Sequence, residues 1–341
     1  MQHEIFAQTN TVTNVNQALV QEFRDFLVSH GLNDQAVKKF QEIIYDYYYT
    51  HRRDFVWREQ INPYYVLVSE IMLQQTQTDR VSQKFIDFVT RFPDFSTLAH
   101  APFDEVLRYW KGLGYNRRAL YIHKIAQKVT NDFGGVLPND PEILETFAGI
   151  GHNTASSICA FAFNRPTVFI ETNIRTVYIY LFGANITQNV KRLASKSAHP
   201  ELVEGAKAST LVHDKELMPL VAKTLDLNSP RDWYYALMDY GVMLKKTVGN
   251  VSRLSKHYTK QSKFQGSDRQ IRGIILQVLL DYPGISEQEI IERTGKEQAR
   301  VPALRSYEPI GEERSRVLKM LEALCNEGFV KKSGQILLLA T

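Results

Sequence analysis

The tetrapeptide Ala148-Gly149-Ile150-Gly151 constrains this chain more than any other segment. Leu144-Glu145-Thr146-Phe147 leads into it, and His152-Asn153-Thr154-Ala155 opens a helix behind it. Two short helices over 141–163 joined by so tight a turn form a hairpin, because glycine turns where other residues cannot and lets another group approach the backbone closely. The first N–H groups of the second helix lack partners within the helix and lie at its positive end, so they suit a phosphate oxygen. A clamp of that kind holds the phosphodiester backbone without reading bases, which implies DNA of many sequences. Tight helix–helix turns also use glycine for packing alone, so the turn points to DNA only together with its surroundings.

At 341 residues, 44% of them hydrophobic, the chain can bury two or three domain cores. Its net charge of +4 is compatible with a nucleic-acid partner without identifying one. Cys159 and Cys325 are the only cysteines, which excludes a four-cysteine zinc or iron–sulfur site within this chain and argues against a disulfide-stapled secreted protein. Met1-Gln2-His3-Glu4-Ile5-Phe6 has neither a basic start nor an apolar stretch, so we read no signal peptide. No apolar run reaches membrane-spanning length. We expect a soluble protein without a membrane partner, cytoplasmic and nucleoid-associated.

Helical periodicity dominates to about residue 265. It predicts helices over Gln35–Tyr49, Tyr64–Gln77 (with Pro63 at its start), Val81–Arg91, Phe103–Lys111, Arg117–Phe133, Pro141–Phe147, His152–Phe163, Ile174–Leu181, Glu216–Leu225 and Asp232–Lys245. Lys191–Thr210 reads as a surface insertion. Leu244–Lys263 carries Lys245, Lys246, Arg253, Lys256, Lys260 and Lys263 with no acidic residue, which favours a phosphate-facing loop over a merely solvated one. From Gly266 the pattern changes to helices over Arg269–Asp281, Ser286–Thr294 (Ser286 as N-cap) and Glu312–Glu327. A hairpin from Gly328 to Leu339 follows, turning at Ser333-Gly334. Three helices and a terminal hairpin are a winged-helix arrangement. Its 11 basic and 11 acidic residues balance, so the net charge belongs to the rest of the chain; a neutral module of this kind suits protein docking as well as DNA.

Two carboxylates follow apolar runs. Glu70 lies in Val66-Leu67-Val68-Ser69-Glu70-Ile71-Met72-Leu73. Facing a cleft, it would be desolvated, hold its proton near neutral pH and serve as a general acid; alone, it reads rather as a solvent-facing or capping residue. Glu171 ends Thr167-Val168-Phe169-Ile170-Glu171, where it is either the N-cap of the next helix or the second member of a carboxylate pair that breaks a glycosidic bond. Gln74 and Gln75, directly after Glu70, suit insertion into a duplex, and Tyr115 on the turn Gly112-Leu113-Gly114-Tyr115 suits a wedge between bases. Each also fits ordinary surface or core packing.

Together, Phe55-Val56-Trp57-Arg58, Pro63-Tyr64, the run Ser69-Glu70-Ile71-Met72-Leu73-Gln74-Gln75-Thr76-Gln77, Gly112-Leu113-Gly114-Tyr115 and Gly149-Ile150-Gly151 with Thr154-Ala155 resemble the adenine DNA glycosylase branch of the helix-hairpin-helix superfamily over about residues 35–250. The resemblance implies an all-α, two-domain helix-hairpin-helix glycosylase core, here followed by a winged helix with a small β-hairpin. One domain would comprise 1–54 and 166–265, carrying the basic loop 244–263. The second, a six-helix barrel over 55–165, would contain the hairpin 141–163, and the winged helix would occupy 266–341. By that resemblance Glu70 protonates a purine at N7, Glu171 stands where the family's second carboxylate stabilises the sugar cation, and Asn173 lies beside it. Gln75 and Tyr115 enter the duplex (with Gln74 kept as a candidate from the glutamine run alone), Trp57 and Arg58 lie near the base pocket, and Gly149, Gly151, Asn153 and Thr154 hold the backbone. We add Lys245, Lys246, Lys256 and Lys260 as DNA contacts from the basic loop.

Four features depart from the family pattern. Glu171 replaces Asp and reaches one methylene further. Asn153 stands where bifunctional relatives carry a nucleophilic Lys, and an amide cannot form a Schiff base, so the chain is expected to be monofunctional. Lys245 and Lys246 stand about where the first cluster cysteine would be, so we assign no iron–sulfur cluster, metal or other cofactor; the hairpin leaves room for a monovalent cation. The family's 8-oxoguanine-recognising domain is replaced by the winged helix. The expected activity is excision of mispaired adenine opposite 8-oxoguanine or guanine from double-stranded DNA, by a monomer. Excision of thymine or uracil opposite guanine, and non-catalytic DNA binding, are the alternatives.

Overall fold

A computed structural model describes residues 17–183, 211–299 and 310–340. Among these the regular structure is helical apart from one small sheet and an isolated parallel bridge between Val212 and Ser255. The expected insertion at Lys191–Thr210 lies outside the described residues.

The described residues form two compact units. The first takes its parts from 1–61, 139–142 and 151–259, and the second from 62–138, 143–150 and 260–341. In this division residues 151–165 pack with the first unit, and the C-terminal residues group with the 62–138 helices.

The first unit is closed by aromatic packing across distant sequence. Asn33 caps the helix Asp34–His51 by accepting from the Ala36 N–H at 2.9 Å. Ala36, Phe40, Ile43, Ile44 and Tyr48 then recur at helical spacing and are buried. Phe40 has its ring 5.8 Å from Phe23, 5.4 Å from Tyr178, 5.3 Å from Phe182 and 5.5 Å from Trp233. Such pairs contribute about 0.5–1.5 kcal/mol each beyond the area they bury. They tie the helix over 17–30, which the periodicity left unread, and Asp34–His51 to the helices Thr172–Phe182 and Pro230–Thr247.

In the second unit, helices Pro63–Leu73, Thr78–Arg91, Phe95–His100, Phe103–Trp110 and Arg117–Phe133 enclose a core that includes Leu67, Phe85, Phe88, Phe92 and Trp110. The C-terminal residues supply helices Asp268–Asp281, Glu287–Ala299 and Ile310–Asn326, with strands β1 (Ile285–Ser286), β2 (Val330–Ser333) and β3 (Ile336–Leu339). The strand order is β1-β3-β2, antiparallel throughout, with Ile285 opposite Leu337 and Val330 opposite Leu339. The expected hairpin is present. Ser333 pairs with Ile336, so Gly334-Gln335 forms the turn, and β1 is an addition too short for any periodic signal. Ser286 caps as expected, exchanging bonds with Glu289.

This module docks on the helices before it. Phe329 packs on Phe103 at 5.8 Å, Arg108 donates to the Leu280 carbonyl at 2.6 Å, and Glu327 accepts from both Arg117 and Arg272. Burial pulls the Glu327 carboxyl up, but the hydrogen bonds and charges of the two guanidiniums outweigh it and hold its pKa below the ordinary glutamate value.

Candidate active site

Asn62 starts the helix Pro63–Leu73, accepting from the Tyr64 N–H at 2.9 Å with Pro63 in the first turn. Tyr64, Val66, Leu67, Val68, Ser69, Ile71 and Met72 are buried. Glu70 is the helix's only charged residue and is half-buried. The helix ends at Leu73, four residues earlier than the periodicity predicts, and the glutamines form an irregular turn instead. Gln74 leaves the helical conformation (φ −55°, ψ 113°), and Gln75 follows at φ 56°, a left-handed conformation that cannot continue the helical hydrogen-bond ladder.

Tyr115 has φ 47°. Among the described residues only Gln75, Tyr115 and Asn164 are non-glycine residues at positive φ, and Asn164 ends the helix His152–Phe163, a place Asn tolerates. Left-handed backbone costs a side-chain-bearing residue about 1–2 kcal/mol and persists only where the surroundings enforce it.

Arg118 enforces both. One terminal nitrogen of its buried guanidinium donates to the carbonyls of Ile71 (2.8 Å), Met72 (2.7 Å) and Gln74 (2.6 Å). The other donates to Thr76 Oγ1 (3.0 Å) and to the carbonyls of Leu113 (3.2 Å) and Gly114 (3.0 Å). It thereby satisfies the carbonyls that the Glu70 helix leaves open at its C-terminus and ties them to the Tyr115 turn. Burial pushes its pKa down to about 10, so it stays charged at neutral pH. Sequence reasoning missed Arg118. Its signal is a basic residue at the start of a helix whose positions 119, 120, 122 and 123 are all buried.

The Tyr115 side chain is held at its tip. Gln261 Nε2 donates to its hydroxyl at 2.6 Å, and Arg269 Nη1 donates to the same oxygen. The Arg269 guanidinium lies 4.8 Å, and that of Arg118 5.6 Å, from the ring centre. The C-terminal module therefore contributes directly to the surroundings of this residue, which the sequence did not reveal.

In the other unit, Glu171 is the N-cap of Thr172–Phe182. Its Oε1 accepts from the N–H groups of Asn173 (2.8 Å) and Ile174 (3.2 Å). Asn173 directs Nδ2 toward Oε2 at 3.5 Å, and Lys245 Nζ donates to Asn173 Oδ1 at 2.6 Å. Asn153 accepts from the Ile170 N–H at 3.5 Å, next to Glu171 in the chain. Thus Glu171, Asn173, Asn153 and Lys245 are brought together.

Lys245 departs from its expected role as a loop cation. It lies in the last turn of Pro230–Thr247, half-buried, while Lys246, Lys256 and Lys260 are exposed as a phosphate contact requires. Trp57 and Arg58 are also turned inward. Trp57 is 5% exposed and stacks on Phe55, and Arg58 donates both terminal nitrogens to buried Asp239 (2.9 and 3.0 Å). Arg53 completes that pair at 2.7 Å, so Asp239 is neutralised from two sides.

The hairpin glycines have different reasons. Gly149 has φ 76°, and a β-carbon there would enter the Tyr121 ring. Gly151 precedes the helix His152–Phe163 with no side-chain cap and open space above it. Thr154 is half-buried in the first turn, its carbonyl accepting from the Ser157 hydroxyl at 3.0 Å.

An acid on an apolar helix, a rigid turn beside it and a glycine hairpin describe an enzyme of base excision rather than a sequence reader. Residues 68–200 match the HhH-GPD superfamily, described as base excision DNA repair proteins. The chain is 34% identical over 248 residues to an adenine DNA glycosylase of Mycobacterium tuberculosis, covering 68% of this chain and 76% of that one. It is 38% identical over 147 residues to one of Buchnera aphidicola, covering 43% of this chain and 42% of that one. A thermostable thymine-DNA glycosylase structure shares the fold, with a TM-score of 0.50 and 24% identity over 65% of this chain and 96% of its own. The chain belongs to the adenine DNA glycosylase family, DNA N-glycosylases within the base excision repair superfamily.

Proposed function

We propose that this protein is a monofunctional glycosylase that flips a mispaired adenine out of double-stranded DNA and hydrolyses its N-glycosidic bond, with 8-oxoguanine or guanine opposite. The observation that carries this reading is the block held by Arg118. The acid Glu70 and the two strained residues Gln75 and Tyr115 are parts of one rigid assembly. A proton donor fixed relative to the groups that open the duplex meets the flipped base in a set geometry.

In the reaction, the Glu70 carboxylic acid gives its proton to N7 of adenine. The C1′–N9 bond then breaks with its electron pair leaving on the base. The Glu171 carboxylate stabilises the positive sugar, and water adds at C1′ while its proton passes to a carboxylate. Asn153 offers no amine for a covalent intermediate, so the product is an intact strand with an abasic site. The hairpin N-terminus and the exposed Lys246, Lys256 and Lys260 hold phosphates. We assign no metal or other cofactor, and the protein acts as a monomer.

The test is single-turnover base release from duplexes with adenine opposite 8-oxoguanine, adenine opposite guanine, and thymine or uracil opposite guanine, with and without alkali. Adenine release that needs alkali to reveal a break, and that Glu70→Gln lowers by at least about 100-fold, is the expected result. Pyrimidine release, or a mild effect of Glu70→Gln, would overturn the adenine reading, because a pyrimidine has no N7 to protonate.

A further inference from the structure

The helix Pro230–Thr247 meets the start of Thr172–Phe182 backbone to backbone, and Gly241 permits it. A β-carbon on Gly241 would lie 2.8 Å from both the carbonyl carbon and the Cβ of Asn173, inside any real contact distance. Lys245 follows one turn later on the same helix face. The close approach therefore brings its Nζ within 2.6 Å of Asn173 Oδ1.

An amide has one acceptor end and one donor end. With Oδ1 engaged by an ammonium, which can only donate, the Asn173 amide cannot flip, and Nδ2 is left facing Glu171 Oε2 at 3.5 Å. Oε1 of the same carboxylate is engaged by the N–H groups of Asn173 and Ile174. Both oxygens of Glu171 are thus oriented, one by the helix and one through Asn173. Lys245 is desolvated by burial, which pulls its pKa below the ordinary lysine value; Glu171 opposes that shift and Arg175 adds to it. A lysine held there at that cost is not an ordinary surface cation.

We propose that Lys245 is a positioning residue of the base-release site, fixing the Asn173 amide and, through it, the Glu171 carboxylate. The inference rests on the reading that Glu171 stabilises the sugar cation. Glu171 is thus steered from the Pro230–Thr247 helix as well as from its own.

Two measurements test it on the full-length protein. The first compares wild type, Lys245→Met and Lys245→Arg in single-turnover adenine release at saturating enzyme, with the Kd for the same duplex measured in parallel. Lys245→Met is expected to slow release by roughly tenfold or more at unchanged Kd, less than the about 10²–10³-fold lost with a direct transition-state donor. Lys245→Arg, which still donates, restores most of the rate. The second measurement follows the Asn173 side-chain amide protons by NMR in the DNA-free protein. They should be shifted from unstructured positions and slow to exchange with solvent in wild type and Lys245→Arg, and move toward unstructured positions with faster solvent exchange in Lys245→Met. Unchanged amide signals in a folded Lys245→Met protein overturn the inference. So does a loss confined to DNA affinity, which would return Lys245 to the phosphate-binding set. If wild type releases no base from any duplex, the functional reading fails, and the amide signals alone decide whether Lys245 orients Asn173.

Discussion

Glu171 shows what one additional methylene can do. A glutamate is not a favoured N-cap, yet extended backbone (φ −118°, ψ 178°) lets its side chain curl back onto two N–H groups of its own helix. The cap and the proposed chemistry use the same carboxylate, so two substitutions separate them. Glu171→Asp keeps a good cap and is expected to hold stability within about 0.5 kcal/mol while retaining base release. Glu171→Ala should cost about 1 kcal/mol in urea unfolding and abolish release. Both carboxylates were legible as candidates because acids after apolar runs are conspicuous. The partners of Glu171 were not, since Asn173, Lys245 and Gly241 meet through packing that no local spacing encodes.

At the scale of the element, the decisive structure is the pair of turns after the Glu70 helix and before Arg117–Phe133. Periodicity carried the helix through Gln77 because Gln and Thr do not forbid it. Tertiary bonds from Arg118 end it at Leu73 instead. Arg118→Met would remove a donor from six acceptors, of which the Leu113 and Gly114 carbonyls keep Thr76 Oγ1 (3.3 Å) and Trp110 Nε1 (3.2 Å), and buried groups left unsatisfied cost about 1–3 kcal/mol each before relaxation. We expect a loss of about 3 kcal/mol or more in chemical denaturation, together with slower base release as Gln75 and Tyr115 lose their fixed geometry. The basic loop divides the same way. Replacing Lys246, Lys256 and Lys260 together by Gln should reduce the slope of log affinity against log salt by up to about 2.7, at about 0.9 per phosphate contact, whereas Lys245→Met should leave it unchanged. Composition identified the loop's charge; only the fold distinguishes the lysine that turns inward.

For the whole molecule, the sequence was most informative where helices are long and amphipathic. Arg117–Phe133 and His152–Phe163 match their predicted bounds, and the winged-helix pattern was readable from its three helices and hairpin. How that module attaches was not readable, because Phe103 with Phe329 and Arg117 with Glu327 are more than 200 residues apart in sequence. The Glu327 junction has a pH signature. Its folded pKa lies below the unfolded one, so its contribution is complete above the unfolded value of about 4.3 and disappears as pH falls through the folded value. Hydrogen exchange across Asp268–Asp281 should rise in that acid window, and Glu327→Gln should show raised exchange already at neutral pH. Exchange independent of pH in wild type would place the docking energy in Phe103 and Phe329 instead.

Gly241 has no side chain, donates no proton and is proposed to touch no DNA. In a genetic selection for mutation avoidance, substitutions there are nevertheless expected to score with those at Glu70. The smallest of them, alanine, removes nothing; it fills the space through which one helix reaches another. A map of intolerant positions drawn from such a selection would therefore mark a residue that no inventory of chemical groups contains, and its neighbour in that map would be Asn173.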